Sequence, residues 1–193
     1  MRAFPRVFFV GTSAGGVSAI HRLLTSLGPE FTCPLVIIQH LPDLKHVDVK
    51  TVYPAGPSRT VLEVEDKMPI EEQHVYFAPG GYHLLVEKDC SFSLSQDDPV
   101  RYSRPSIDLS FESAARVFGP RLVAAVLTGA NQDGAEGLTA VRNGGGICIV
   151  QDPQEAEFKE MPAAALAMQK PDYVTKLHAL PELLLRLQNE ASR

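Results

Sequence analysis

The chain predicts an α/β fold: a doubly wound, mostly parallel sheet with helices on both faces and an antiparallel hairpin at one edge. Three observations carry this. Short apolar runs alternate with stretches of helical apolar spacing over most of the 193 residues. The first apolar run ends in a glycine-flanked turn that leads straight into a helix. In the middle, three short runs are separated by gaps too small for a crossover helix.

Val7-Phe8-Phe9-Val10 anchors a strand over 6–10, apolar at successive positions as burial on both faces requires. Val17, Ile20, Leu23 and Leu24 recur at helical spacing and predict a helix over 17–27. Leu35-Val36-Ile37-Ile38 opens the next strand, 35–39. Residues 42–60 have the least regular pattern. There, Val47 to Val52 fits a strand or a weak helix, and Pro54 and Pro57 predict a loop just after it. Val75-Tyr76-Phe77-Ala78, His83-Leu84-Leu85-Val86 and Ser91-Phe92-Ser93-Leu94 are separated by Pro79-Gly80-Gly81 and Glu87-Lys88-Asp89. Such spacing predicts antiparallel hairpins. The alternation then resumes: helix 106–118, strand 122–127, helix 134–143, strand 147–150, helix 161–169, strand 173–175 and helix 180–190. Asn143-Gly144-Gly145-Gly146 closes one of these helices and turns into the next strand.

The length suits one well-packed domain over 1–193, and 45% hydrophobic with 21% charged residues is ordinary globular composition. The net charge of −5 with no basic block argues against a nucleic-acid partner. No apolar run approaches the roughly 20 residues that membrane insertion needs. The N-terminus has no charged-then-apolar signal, which predicts a cytoplasmic protein. Cys33, Cys90 and Cys148 are isolated and odd in number, as in a reducing compartment, and Cys90 and Cys148 read as small core residues. His40 and His46, and His74 and His83, pair loosely in sequence. No helical His-x-x-x-His or Cys/His cluster accompanies them, so no metal is expected.

Gly11-Thr12-Ser13-Ala14-Gly15-Gly16 places a serine between a buried strand and a helix N-terminus. That end offers unpaired N–H groups and a positive partial charge. Three readings compete: a nucleophile, a phosphate-binding loop and a plain tight turn. A dinucleotide site wants Gly-x-Gly-x-x-Gly and an acidic residue about 20 residues on. Here Ser13 replaces the second glycine and the next strand ends in Gln39-His40. A Walker A Gly-Lys-Ser/Thr is absent, so no nucleotide cofactor is expected. The segment also matches Gly-x-Ser-x-Gly, but the α/β-hydrolase elbow follows several strands, and its partners run acid then histidine.

In an open parallel sheet, ligands meet the loops at the carboxyl ends of the strands. Three such loops carry reactive side chains: Ser13 after the first strand, His40 after the second, and Asp133 after the strand 122–127. A serine needs a base to take its proton, and the base needs an acid to fix its tautomer. Each residue alone has a plainer explanation. His40 can simply end a strand, and Asp133 before Gly134 can simply cap the next helix. Their convergence on one sheet edge favours chemistry.

At these residues the chain resembles the catalytic domain of the chemotaxis receptor methylesterases, the CheB family. The resemblance runs from about residue 6 to about residue 187. It rests on Gly11-Thr12-Ser13-Ala14-Gly15-Gly16, Gln39-His40-Leu41-Pro42 and Tyr76-Phe77-Ala78-Pro79-Gly80. Further along it rests on Ser103-Arg104-Pro105-Ser106-Ile107-Asp108, Leu127-Thr128-Gly129 with Asp133-Gly134, and Gln151-Asp152-Pro153 followed by Met161-Pro162. It implies a serine hydrolase that removes methyl esters from glutamate side chains of a methyl-accepting chemotaxis receptor or related signalling protein. Glutamine deamidation would proceed through the same acyl-enzyme. Ser13 would attack, His40 would move the proton and Asp133 would orient His40. Backbone N–H groups at Ala14, Gly15 and Gly16, or at Ala130, would hold the oxyanion. Arg104 would bind acidic substrate or make a surface ion pair. The rival is a catalytically weakened domain that serves as a signalling or interaction module.

Three departures from the family pattern stand out. Its loop before the aspartate reads like Gly-Met-Gly-Asn-Asp-Gly, against Gly129-Ala130-Asn131-Gln132-Asp133-Gly134 here. Ala130 changes pocket shape and leaves a backbone donor. The family's helix with an Arg-Leu pair is not evident in 43–57, so docking should differ there. Family members often begin with a phosphorylatable receiver domain, whereas no receiver domain precedes the sheet in this sequence. Residues 1–5 are too few to hide a site, so control is expected from a separate regulator or from docking at 43–57. Methanol release by the purified chain should therefore be the same with and without acetyl phosphate, and clear stimulation would contradict this reading.

Overall fold

A computed structural model describes residues 6–40, 49–53, 56 and 58–191. The expected loop at Pro54 and Pro57, the segment 41–48 with His46, and residues 1–5 lie outside the described residues. Among the described residues the sheet has seven strands, all parallel: β1 (Val7–Thr12), β2 (Leu35–Gln39), β3 (Thr60–Glu63), β4 (His74–Phe77), β7 (Leu122–Val126), β8 (Ile147–Gln151) and β9 (Tyr173–Thr175). Its order is β3-β4-β2-β1-β7-β8-β9. The chain builds outward from β1 to one side, then returns to build the other. The reversal falls at β1, where a doubly wound sheet opens its binding crevice.

The apolar run of β1 divides by parity. Val7 and Phe9 enter one core with α3 (Ile107–Phe118), α4 (Ala135–Asn143) and α5 (Glu160–Met168). Phe8 and Val10 enter the other with α1 (Gly16–Ser26) and α6 (Leu180–Ala191). Successive side chains of a strand point to opposite faces, so a strand covered twice must be apolar throughout. Among the described residues no helix is long and apolar enough to cross a membrane. The three cysteines are free and buried.

The middle of the chain departs from expectation in detail. Residues 75–78, expected in a hairpin, contribute to β4, which runs parallel between β2 and β3 with Val75, Tyr76 and Phe77 buried. Pro79-Gly80-Gly81 is thus an exit from the main sheet. The antiparallel hairpin is β5 (His83–Val86) with β6 (Phe92–Ser95), and it forms its own two-stranded sheet instead of extending an edge. It is fastened to α3: Ser110 Oγ donates to the Leu84 carbonyl at 2.8 Å, and Ser113 Oγ accepts from Val86 N–H at 3.1 Å. β3 was unreadable because an edge strand of four residues, half exposed, has little apolar signal. Within 47–52, residues Val49–Val52 are a short helix, α2.

Phe111 is fully buried on α3 and meets Phe9 edge-on, with ring centroids 6.5 Å apart. Phe111→Ala should cost about 3–5 kcal/mol of stability, read as a lowered urea midpoint. An unchanged midpoint would contradict this account of the core.

Candidate active site

Hydroxyls and backbone groups lock three loops together at the carboxyl ends of β1, β2 and β7. Thr12 Oγ1 donates to the Thr128 carbonyl at 2.8 Å, and Ser13 N–H donates to the same oxygen at 3.0 Å. His40 N–H donates to the Thr12 carbonyl at 3.0 Å. Thr128 Oγ1 returns a bond to the Ala14 carbonyl at 2.9 Å. Ser13, from the β1 loop, and His40, from the β2 loop, therefore border one groove of about 570 Å³, with Gln39, His21, Arg22 and Glu157 also on its wall.

The turn after Ser13 needs its glycines. Gly15 has φ +76°, a left-handed conformation that β-carbons disfavour. A β-carbon on Gly129 would collide with Met161 and lie 3.0 Å from Ser13 Cβ. The β7 loop can pass beside Ser13 only because Gly129 has no side chain.

His40 Nε2 is 2.9 Å from Asp133 Oδ2, with His40 11% and Asp133 0% exposed. The aspartate holds more than the histidine. Its Oδ2 also accepts from Ile107 N–H at 2.7 Å, and its Oδ1 accepts from Asp108 N–H at 2.9 Å and Ser106 Oγ at 3.1 Å. These donors are the first turn of α3, whose N-cap is Ser106. Asp133 therefore caps α3 and not the helix that follows it. α4 takes its carboxylate from α3 in return: Asp108 Oδ1 accepts from Gly134 N–H at 2.8 Å and Gly137 N–H at 2.7 Å. Each helix lends a carboxylate to the other's positive end.

Burial works against an ionised Asp133, but bonds from His40, Asp108 N–H and Ile107 N–H outweigh it and hold the carboxyl below the ordinary range. Asp108 goes the other way. Burial pushes it up to about 7, aided by the adjacent Asp133 carboxylate and opposed by the bonds from Gly137 and Gly134. Its Oδ2 has no hydrogen-bond partner among the described residues, and Arg101 Nε stands 3.7 Å away.

The remaining candidates divide. Among the described residues the N–H groups of Ala14, Gly15 and Ala130 have no hydrogen-bond partner, so they stay available to an oxyanion. Gly16 does not: its N–H closes a turn onto the Ser13 carbonyl at 2.9 Å. Arg104 is not brought to the groove, and its guanidinium donates to the Gln96 and Asp97 carbonyls at 2.9 and 3.0 Å, pinning the loop after β6. No Ser13–His40 hydrogen bond is formed. His40 Nδ1 instead faces Asn131 Nδ2 at 3.2 Å and Ser103 Oγ at 3.4 Å. Sequence reasoning overlooked Asn131, Ser103, Ser106 and Asp108 as parts of the site. Ser103, Ser106 and Asp108 lay in a motif that carries the family resemblance, and Ser106 also had a physical signal, as a serine opening a helix. Among the described residues no group of acidic, histidine or cysteine side chains is arranged to hold a metal.

A doubly wound α/β domain with a serine, a histidine and a buried aspartate at its switch point has the makings of a hydrolase. Comparison with known proteins narrows this. The model of the CheB methylesterase family matches residues 8–184, and the chain belongs to that family. A Leptospira interrogans protein named "Putative protein-glutamate methylesterase/protein-glutamine glutaminase" is 41% identical over 92% of both chains. A protein-glutamate methylesterase/protein-glutamine glutaminase of Hydrogenovibrio crunogenus is 35% identical over 94% of this chain and 49% of its own. The chain thus spans most of one relative and about half of the other. The crystal structure of the Thermotoga maritima CheB methylesterase catalytic domain superposes with a TM-score of 0.84 at 27% identity, covering 94% of this chain and 98% of that one.

Between its ordinary value of 3.8 and about 7, Asp108 keeps a proton in the folded chain that the unfolded chain releases. Stability should therefore fall as pH rises through that window. Asp133 acts oppositely, and only below the window, because its carboxyl is held low. Asp108→Asn keeps an oxygen for Gly134 and Gly137 N–H and has no proton to lose. Its melting temperature should lack the decline between pH 4 and 7 that the wild type shows, and parallel curves would refute the assignment.

Proposed function

We propose that the chain is a protein-glutamate methylesterase, with glutamine deamidation by the same route. The observation that carries this is the 2.9 Å His40–Asp133 pair, whose histidine lines the groove that Ser13 also lines. Family membership supports the chemistry, and the names of the relatives supply the substrate. The partner would be a methyl-accepting chemotaxis receptor or a related signalling protein. The three free, buried cysteines fit action in a reducing cytoplasm.

In this reading Ser13 Oγ attacks the γ-carbonyl of a methylated glutamate as its proton passes to His40 Nδ1. The carbonyl oxygen becomes an oxyanion, held by the free N–H groups of Ala14, Gly15 or Ala130. The intermediate collapses, methoxide takes the proton from His40, and methanol leaves an acyl-enzyme. Water then attacks with His40 again as base, which frees the glutamate and restores Ser13. With glutamine the leaving group is ammonia. Asp133 fixes the ring through Nε2 and stays ionised when the imidazolium forms. The nitrogens are used in the reverse sense to the chymotrypsin arrangement, in which Nδ1 meets the acid.

Ser13→Ala should lower methanol release from a methyl-esterified receptor fragment by up to about 10⁶ while leaving the melting temperature near wild type. Release at the wild-type rate would exclude Ser13 as the nucleophile. Uniform inactivity of wild type and variant, with receptor binding retained, would instead favour an interaction module.

A further inference from the structure

The lone pair that must accept the Ser13 proton is already engaged. Asn131 Nδ2 lies 3.2 Å from His40 Nδ1, and Ser103 Oγ lies 3.4 Å from it. The donor and acceptor roles follow from fixed points. The Asp133 carboxylate is surrounded by Ile107 N–H, Asp108 N–H and Ser106 Oγ, and an ionised carboxylate only accepts. His40 Nε2 must then carry the proton, which leaves the lone pair on Nδ1. At Asn131, Oδ1 accepts from Asp133 N–H at 3.0 Å. The end of the amide turned to His40 is therefore Nδ2, a donor. A single loop, 129–133, grips both ring nitrogens: a carboxylate on one, an amide on the other.

We infer that Asn131 is a positioning residue for His40, its side-chain amide reinforcing the tautomer that Asp133 sets and holding the basic Nδ1 for Ser13. The inference rests on His40 acting as the base. A protonated Nδ1 cannot accept from an amide N–H, so Asn131 opposes premature protonation and must let go as the Ser13 proton arrives. The Ser103 hydroxyl both donates and accepts. It can turn to receive Nδ1–H when Asn131 releases it.

Substitution by aspartate separates this role from loop shaping. Asn131→Asp keeps an oxygen for Asp133 N–H but replaces the donor at Nδ1 with an acceptor. The acid limb of kcat/KM should then move to higher pH by about one unit or more, a tenfold change in protonation at fixed pH. Activity lost at neutral pH should return in alkaline buffer. Asn131→Ala removes both side-chain hydrogen bonds, and loss of the one to Nδ1 should weaken tautomer preference and kcat/KM by roughly two- to tenfold. Among the described residues the other charged groups around the ring are Asp133, His21, Arg22 and Glu157, with Asp108 and Arg101 behind Asp133. Neither substitution alters them.

The assay is methanol release from a methyl-esterified receptor fragment, paired with ¹⁵N NMR of the His40 ring across pH. Wild type should show a neutral ring protonated at Nε2, and Asn131→Asp should keep its imidazolium to higher pH. Wild-type ¹⁵N shifts and an unmoved acid limb in Asn131→Asp would overturn the inference. So would equal loss in both variants with the limb fixed, which is the signature of a loop-shaping residue. The NMR result needs no activity. If Ser13→Ala proved fully active, the proposed function would fail while the tautomer question was still decided.

Discussion

A buried carboxylate with no exposure organises this molecule. Asp133 sits in an interior that penalises an ion by several kcal/mol, and it remains charged because four donors converge on it. Three belong to the N-terminus of α3, whose dipole favours an anion there. The fourth is His40. The acid paired with His40 is therefore held mainly by a helix end, not by the histidine. Its position is fixed before any substrate arrives. The exchange with Asp108 extends the constraint, since α3 and α4 cannot move apart without exposing two helix ends and two carboxylates at once.

The parallel sheet supplies the rest. Adjacent parallel strands bring successive loops to one edge, and the winding reverses at β1. Thr12 and Thr128 convert that proximity into fixed distances, because each satisfies backbone or hydroxyl groups of the neighbouring loop. Thr128 is itself tied to β8, its N–H donating to Gln151 Oε1 at 2.8 Å. The chain behind Ser13 is thus anchored to strands on both sides, so the serine loop has little freedom beyond side-chain rotation. In the proposed function, Ser13 as nucleophile would depend on this kind of rigidity.

Much of this was legible in the sequence. Strand-then-turn signals at Gly11–Gly16, Gln39-His40 and Leu127–Gly134 are local, and a parallel sheet gathers such loops by topology alone. Ser13, His40 and Asp133 were singled out that way. What escaped depends on contacts distant in sequence. Asp133 precedes Gly134 and looked like a cap for α4, yet it caps α3, 26 residues back at Ile107. Arg104 looked like an anion-binding side chain, but its neighbours after β6 offered two carbonyls first. The hairpin was read correctly as antiparallel and misplaced at an edge, because spacing reveals pairing within a segment but not which surface the pair covers. Asn131 carried no signal, since a lone asparagine in a loop more often serves its own backbone.

It does so here as well, and that dual use is instructive. Asn131 Oδ1 stabilises the loop that carries Asp133, while Nδ2 meets the ring that Asp133 orients. The acid and the amide therefore move together, and any shift of the loop disturbs both ring nitrogens. A net hydrogen bond of about 0.5–1.5 kcal/mol is small beside the stabilisation a positioned base provides. In the proposed reaction, Asn131 would accordingly hold the resting tautomer without blocking it. The same loop exposes the small side chain of Ala130. With no large side chain to shape the groove there, the geometry of the loop rests on its hydrogen bonds, and Asn131 makes two of them.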